Sequence, residues 1–448
     1  MTLAEKKEFR KELLALAIPI GLQNLLVALI GATDALMLGR LAQDAVAAVS
    51  LANQIAFVAS LFIGTVVGGG GSLIAQYWGK GDRTMTKNLF CTILKYATGL
   101  SFVFFALATW APEFLMRIFT PEAALIEIGA DYLRAVAPSY LFVGITQCYY
   151  LIMKMEDKAT KSVVISVITL IADVTLDYFL IYGKPNLGPN GSAYSTVGVE
   201  FIALLWCIAE SHRGDSLRPD MAGFKWFSKD ITKDLIRIST PMLASALAWG
   251  LSISMHSFIM GHMGSDATAA ASIAAVAQDV VTCVARGVAA GAGIMLGKLL
   301  GQDLFDKAKA YGQRFWNLSL LVGLIHSLCL LILGPFVVKF FVLTETARSY
   351  LIYMLCFTGL YVFAYSLNTV TTCGIFPAGG DTAYDAVSVF FATWCFAIPL
   401  ALLGTFLFKW PVLVVYTIMC ADEIVKLPWL YPHYKKYIWL QNLTRESE

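Results

Sequence analysis

The sequence predicts an all-α integral membrane protein. Twelve transmembrane helices are expected, arranged as two six-helix lobes related by a pseudo-two-fold axis along the membrane normal. Three observations predict it: composition, the count of apolar runs, and an internal repeat. Apolar residues make up 58% of the 448-residue chain and charged residues 14%, with mean hydropathy +0.68. Soluble domains carry about 45–50% and about 25%. Too few charges are present to cover a water-soluble particle of this size. Disordered, collagenous and disulfide-scaffold classes are excluded on the same numbers.

A helix crossing the hydrocarbon core needs about 20 mainly apolar residues. Twelve such runs fall at roughly 13–38, 46–76, 89–111, 125–152, 162–183, 191–209, 236–261, 267–296, 315–338, 349–374, 383–407 and 411–431. Polar turns such as Gly79–Asp82 separate them. The charged N-terminus lacks a small-residue cleavage site and reads as an uncleaved first span. Twelve spans place both termini on one side. Loops on that side hold 24 Lys and Arg, against 6 on the other. Positive loops stay inside, so a multi-pass protein of the cell membrane with both termini cytoplasmic is expected.

The chain overlays on itself at an offset of 222. Pro19 falls on Pro241, Asp44 on Asp266, Ser50 on Ser272, and Gly69, Gly71 and Gly79 on Gly291, Gly293 and Gly301. Six spans return the chain to its starting side, so the two repeats run parallel. The expected division is an N-terminal lobe over 1–210, a cytoplasmic linker over 211–234, and a C-terminal lobe with a short tail over 235–448. Substrate and ion sites tend to lie at such repeat interfaces near the midplane, which favours a carrier over a channel. Formal net charge is +2, so no nucleic-acid partner is expected. Most of the nine cysteines stand singly in apolar runs and read as small buried hydrophobes.

Carboxylates in spans are functional candidates by default. Asp34 and Asp177 lie six and seven residues before Arg40 and Lys184, roughly 10 Å below the outer edge. Asp173 is one turn deeper on the face of Asp177. Thr196, seven past Pro189, reaches a similar depth. These oxygens suit two tasks: holding a hard cation such as sodium, or sharing a proton among crowded acids. Asp34 and Asp177 also fit the wet ends of their spans. In the second half, His256 occupies the repeat position of Asp34, where a satisfied core histidine competes with a proton-coupling one. Asp279 and Arg286 share a face of span eight and read as a structural ion pair. Pro19 and Pro241 are placed to bend spans one and seven, and the glycines at 68–71 and 289–293 to allow close helix approach.

The motifs "PIGLQNLLVALIGATDALMLGRL" (19–41), "LANQI" (51–55), "IAQYWGKGD" (74–82), "LDYFLIYGKPNLGPNGSAYST" (176–196), "AGGDT" (378–382), "DEIVKLPW" (422–429) and "IWLQNLT" (438–444), in this order, resemble the multidrug and toxic compound extrusion (MATE) family of cation-coupled antiporters. The resemblance runs nearly end to end. It implies proton- or sodium-driven export of bulky, often cationic organic molecules, without cofactor, by a monomer in the bilayer. Among members, the DinF-like branch is the nearer. That branch carries an aspartate in span one and an Asn-x-x-x-Asp pair in span five, and Asp34 and Asp177 fall on the aspartates. Asp173 departs, standing where the family has Asn. Thr196 ends a run similar to the family's Gly-Ala-Ala-x-Ala-Thr. The NorM-like branch places a glutamate in span seven and an aspartate in span ten; here span seven has no acid and span ten offers only Asn368. Pro377 replaces the arginine usual before Ala-Gly-Gly-Asp, and the loop after span four reads "MKMEDK". Rival readings are a lipid or polysaccharide flippase of the same superfamily and a membrane-embedded enzyme. Few basic residues in spans and five scattered histidines speak against them. A P-loop is absent: Gly291–Leu299 has Ala292 at the first glycine position and Leu299 at the Ser/Thr.

Overall fold

The structure is a computed structural model. It describes residues 3–38, 43–183, 187–214, 216–339, 341 and 343–445, with side chains omitted for 3–4, 28–38, 43–44, 46 and 337. Among the described residues every regular element is helical. The elements are α1 (Leu3–Leu38), α2 (Gln43–Lys80), α3 (Arg83–Trp110), α4 (Pro112–Arg117), α5 (Ala123–Met155), α6 (Ala159–Tyr182), α7 (Pro189–Ser211) and α8 (Met221–Lys225). There follow α9 (Lys229–His262), α10 (Ser265–Gly301), α11 (Phe305–Lys339), α12 (Glu345–Ala378), α13 (Ala383–Leu407), α14 (Val412–Met419) and α15 (Ala421–Lys435). Ten are long and apolar enough to cross a membrane among the described residues. Backbone polar groups have no water to turn to in hydrocarbon, so each span satisfies itself as a helix.

The helices overrun the apolar runs because their ends are capped outside them. Asp82 accepts from the Met85 amide at 2.9 Å, Thr344 from Ala347 at 3.0 Å and Asp220 from Gly223 at 2.7 Å. Pro112 and Pro189 open α4 and α7, where a missing N–H costs nothing. Pro19 and Pro241 lie inside α1 and α9. The expected twelfth span is broken at Cys420 into α14 and α15. Large apolar side chains such as Phe102, Ile171, Ile332 and Leu407 are exposed, which suits lipid. Cys356 and Cys395 are also exposed, so they face outward on their helices and are not the buried hydrophobes expected. Cys91, Cys148, Cys207 and Cys283 are buried.

The chain divides into two compact units. One holds Gln23–Ile74 and Gly81–Leu235, and the other Met1–Leu22, Ala75–Lys80 and Ile236–Glu448. The first packs Val49, Ala52, Leu133, Ala137, Ile181 and Ala193 into its core. The second packs Ile259, Ala270, Leu351, Val362, Ala401 and Val415. Within the second unit the ends of α2 and α10 meet backbone to backbone. A Cβ on Gly79 would stand 2.0 Å from the Lys298 carbonyl, and one on Gly301 1.9 Å from the Gln76 carbonyl. Between them, a Cβ on Gly297 would stand 2.6 Å from the Ala75 Cβ. Each contact joins residues whose partners are offset by 222, so the repeat read from the sequence is a local two-fold relation here.

Residues 441–445 bind the α2 end of this crossing. Buried Gln76 donates from Nε2 to the carbonyls of Ala378 (2.6 Å) and Gln441 (3.1 Å), and its Oε1 accepts from the Leu443 amide at 2.5 Å. Tyr77 Oη accepts from the Arg445 amide at 2.9 Å, and Lys80 Nζ donates to the Arg445 carbonyl at 2.9 Å.

Candidate functional site

Helix α6 turns a polar face inward. Ser162, Ser166, Thr169, Asp173 and Asp177 are all buried and recur at three- and four-residue spacing, which is one helix face. Val164, Ile168, Ile171 and Phe179 on the other faces are exposed. That is the reverse of a water-soluble amphipathic helix. Asp173 is 9% exposed and Asp177 1%.

Helix α7 supplies the partners. Ser195 Oγ donates to Asp173 Oδ1 at 2.8 Å and lies 3.0 Å from the Asp173 carbonyl. Ser192 Oγ donates to Asp177 Oδ2 at 3.5 Å. Glu200, half-buried on α7, interacts electrostatically with Asp173. From α1, Gln23 Nε2 donates to Ser166 Oγ at 2.6 Å, tying the first helix to this face. Gly191 lets α7 start against α6: a Cβ there would meet the Leu180 carbonyl carbon at 2.7 Å. A short loop, a proline start and a glycine contact thus set α7 beside the acids.

Of the residues singled out from the sequence, Asp173 and Asp177 share this buried face. Thr196 is half-buried on α7 beside Ser195. The side chain of Asp34 lies outside the described residues, as do Gly39, Arg40, Asp44 and Lys184. Among the described residues no group of three or more His, Cys, Asp and Glu is arranged to hold a metal ion; that search does not include Asp34. His256 is half-buried, and its Nε2 has no hydrogen-bond partner among the described residues. Asp279 and Arg286 form an ion pair at 3.2 Å along α10, as their spacing indicated. Glu200, Ser192 and Ser195 were missed. Only Glu200 carried a sequence signal, an acid inside an apolar run.

Asn368 leads to a second buried polar set, in the other unit. Its Nδ2 donates to Glu423 Oε2 at 2.5 Å and to the Glu423 carbonyl at 2.8 Å. Lys426 Nζ donates to Glu423 Oε1 at 2.6 Å. Asp422 Oδ1 accepts from the Glu423 amide at 2.7 Å and Oδ2 from Thr393 at 3.2 Å. Asp385 on α13 accepts from Ser245 on α9 and from Thr372 on α12. The "AGGDT" acid, Asp381, pairs instead with His433 at 2.7 Å, and His433 stacks on Tyr384 at 3.6 Å.

The MatE family model matches residues 19–179 and 241–403, one match in each half of the chain. The chain belongs to the MatE family. The two matches begin 222 residues apart, at the repeat offset. Among the similar curated proteins of this family is a probable multidrug resistance protein NorM of Thermotoga maritima. It is 23% identical over 428 residues, which is 94% of this chain and 91% of the relative. The multidrug resistance protein PmpM of Pseudomonas aeruginosa is also 23% identical, over 87% and 82%. An outward-facing multidrug resistance MATE transporter shares the MatE fold at TM-score 0.87 and 17% identity, covering 96% of each chain. A Vibrio cholerae MATE transporter, VcmN, matches at TM-score 0.88 and 14% identity over 98% of each.

Proposed function

We propose that this MatE-family chain is a secondary multidrug antiporter of the cell membrane, not an enzyme. It exports bulky, often cationic organic compounds in exchange for protons or sodium ions. The observation that carries the reading is the buried face of Asp173 and Asp177, backed by Ser192, Ser195 and Glu200. Burying carboxylates away from water is costly unless a proton or cation is held with them. A site that must take up such a particle to stay closed, and lose it to open, couples the particle to the movement of cargo.

Asp34 and Thr196 are the proposed further oxygen donors of this site, with Asp173 as an acid the family usually lacks. The names of the Thermotoga maritima and Pseudomonas aeruginosa relatives support the choice of cargo. The excess of 24 basic residues over 6 in the loops supports cytoplasmic termini, and one copy of the chain is taken as the working unit. Bending at Pro19 and Pro241 accompanies the change of access.

The test is export in reconstituted vesicles with proton and sodium gradients imposed separately. One gradient is expected to drive uptake of a fluorescent organic cation such as ethidium into inverted vesicles. Equal, gradient-independent leakage in both cases overturns the reading.

A further inference from the structure

The linker after α7 is held by contacts that a coupling site on α6 and α7 does not explain. Arg218 folds back over the C-terminal end of α7. Its Nε donates to the Ser211 carbonyl at 3.1 Å, and its Nη2 to the His212 and Gly214 carbonyls at 3.4 and 3.0 Å. The Leu217 amide donates to Glu156 at 2.6 Å. Lys87 of α3 donates to Asp220 at 2.6 Å, and Asp220 in turn caps α8. A cleft of about 610 Å³ lies between this fixed linker and the start of α3, a volume in the range of small-molecule sites. Its cations are Arg83, Lys87 and Arg218, and its hydroxyls Thr84 and Ser216. Asp220 is the one acid among its described lining residues. Three positive charges against one negative leave the lining at +2. Asp220 offsets Lys87, whereas Arg218 is bound to backbone carbonyls, which satisfy its donors without cancelling its charge. A concave surface of this sign takes an anion, and guanidinium groups match the oxygens of a phosphate.

A second observation says which anion. Helix α8 runs along the flank of α3 past residue 89, where the apolar run of α3 begins. A Cβ on Gly223 would stand 2.7 Å from Cys91 Sγ, and Lys95 Nζ donates to the Phe224 carbonyl at 3.3 Å. Lys95 stands eight residues beyond Lys87, about 12 Å further along the helix. On this stretch Met221 is 71% exposed and Phe227 61%. Large apolar side chains beside cations, level with the start of a span, mark a segment that lies in the membrane interface. A soluble phosphate compound would fill the cleft and leave Met221 and Phe227 in water. A phospholipid engages both.

We propose that the cleft between α3 and the linker binds an anionic phospholipid. The headgroup phosphate sits among Arg83, Lys87 and Arg218, and the acyl chains run against Met221 and Phe227. The site is independent of cargo and coupling ion. It makes the linker a lipid-held segment at the membrane surface and not a free loop.

The experiment follows hydrogen exchange at 216–227 in the full-length protein. One sample is in nanodiscs of phosphatidylcholine alone, the other in phosphatidylcholine and phosphatidylglycerol in equal parts. Exchange is expected to be slower with phosphatidylglycerol. Native mass spectrometry of the detergent-purified protein, titrated with each lipid, supplies the affinities. Arg83→Gln and Arg218→Gln are each expected to weaken phosphatidylglycerol binding about fivefold, the effect of one cation near an anionic surface, and Arg218→Lys to keep it. Arg218→Gln also releases carbonyls at the end of α7, so a second variant leaves the cleft intact. Met221→Asn with Phe227→Asn changes only exposed side chains, and is expected to weaken the lipid several-fold with lipid-free unfolding unchanged. Equal exchange in the two nanodiscs, or equal affinity for the two lipids, overturns the proposal. So does unchanged phosphatidylglycerol binding in either the arginine or the apolar variants. Protection by inorganic phosphate or glycerol 3-phosphate equal to that by phosphatidylglycerol assigns the cleft to a soluble ligand and overturns it too.

Discussion

A double substitution at the crossing of α2 and α10 gives a test with a magnitude. A methyl group on Gly79 would stand 2.0 Å from the Lys298 carbonyl oxygen, and one on Gly301 1.9 Å from that of Gln76. Ordinary contact begins at 3.4 Å, so repulsion from either methyl forces the helices apart by about 1.5 Å, and a gap of that size forfeits dispersion contact around it. The obstacle is backbone on both sides and no rotamer change relieves it. Overpacking of this kind costs about 1–3 kcal/mol. Because the two contacts are related by the repeat, Gly79→Ala and Gly301→Ala are expected to destabilise by similar amounts. One parting of the helices also relieves both clashes. The double variant is therefore expected to cost little more than either single, a coupling energy about as large as one substitution. Thermal or denaturant unfolding in mild detergent supplies the cycle. Additive losses, or one site tolerating the methyl freely, would refute the shared crossing.

Asp177→Asn keeps the side chain's shape and its place 3.5 Å from Ser192 while removing the charge, so membrane expression is expected to be unchanged while drug export falls to background; wild-type-like efflux in accumulation assays removes Asp177 from the coupling site. Ser195→Ala deletes the 2.8 Å donor to Asp173 and is expected to shift the pH optimum of transport without abolishing it; an unmoved profile counts against that contact. Gln76→Leu leaves the Leu443 amide and the Ala378 and Gln441 carbonyls without their partner, a loss of about 1–3 kcal/mol, read by unfolding and by faster hydrogen exchange at 441–445. In the linker, the Lys87 hydrogen bond and then the Gly223 amide hold Asp220 below the usual carboxylate range. A depressed value means the contact stabilises fully above about pH 4, the unfolded Asp value, and is lost as pH falls through the folded one. Hydrogen exchange at 217–225, corrected for intrinsic rates, is expected to rise on that descent, and in Lys87→Ala already at neutral pH.

The fold was legible because every span must satisfy its own backbone, so apolar runs and helices coincide. Their ends were less so: α1 begins ten residues before its apolar run, since charged residues continue a helix beyond the hydrocarbon. The break at Cys420 left no proline or glycine to announce it. At the site, Asp173 and Asp177 were readable from spacing on a single helix. Ser192 and Ser195 were not, because their meeting with the acids depends on the rotation of α7 against α6. Glu200, Asp422 and Glu423 stood in plain view as acids in apolar runs. What the linear chain did not display was the convergence of α12, α13 and α15 that turns Asn368 from an isolated amide into part of a charged set.

The strap over Gln76 also bears on how the molecule is assembled. Its partners are separated from Gln76, Tyr77 and Lys80 by some 365 positions along the chain. The second helix therefore enters the bilayer with a polar corner that nothing nearby can satisfy, and it stays incomplete until residues synthesised much later fold back onto it. Maturation of that corner is a late event, and a chain cut short just before Gln441 would keep every helix through Lys435 while one of its earliest-made helices stayed unfinished.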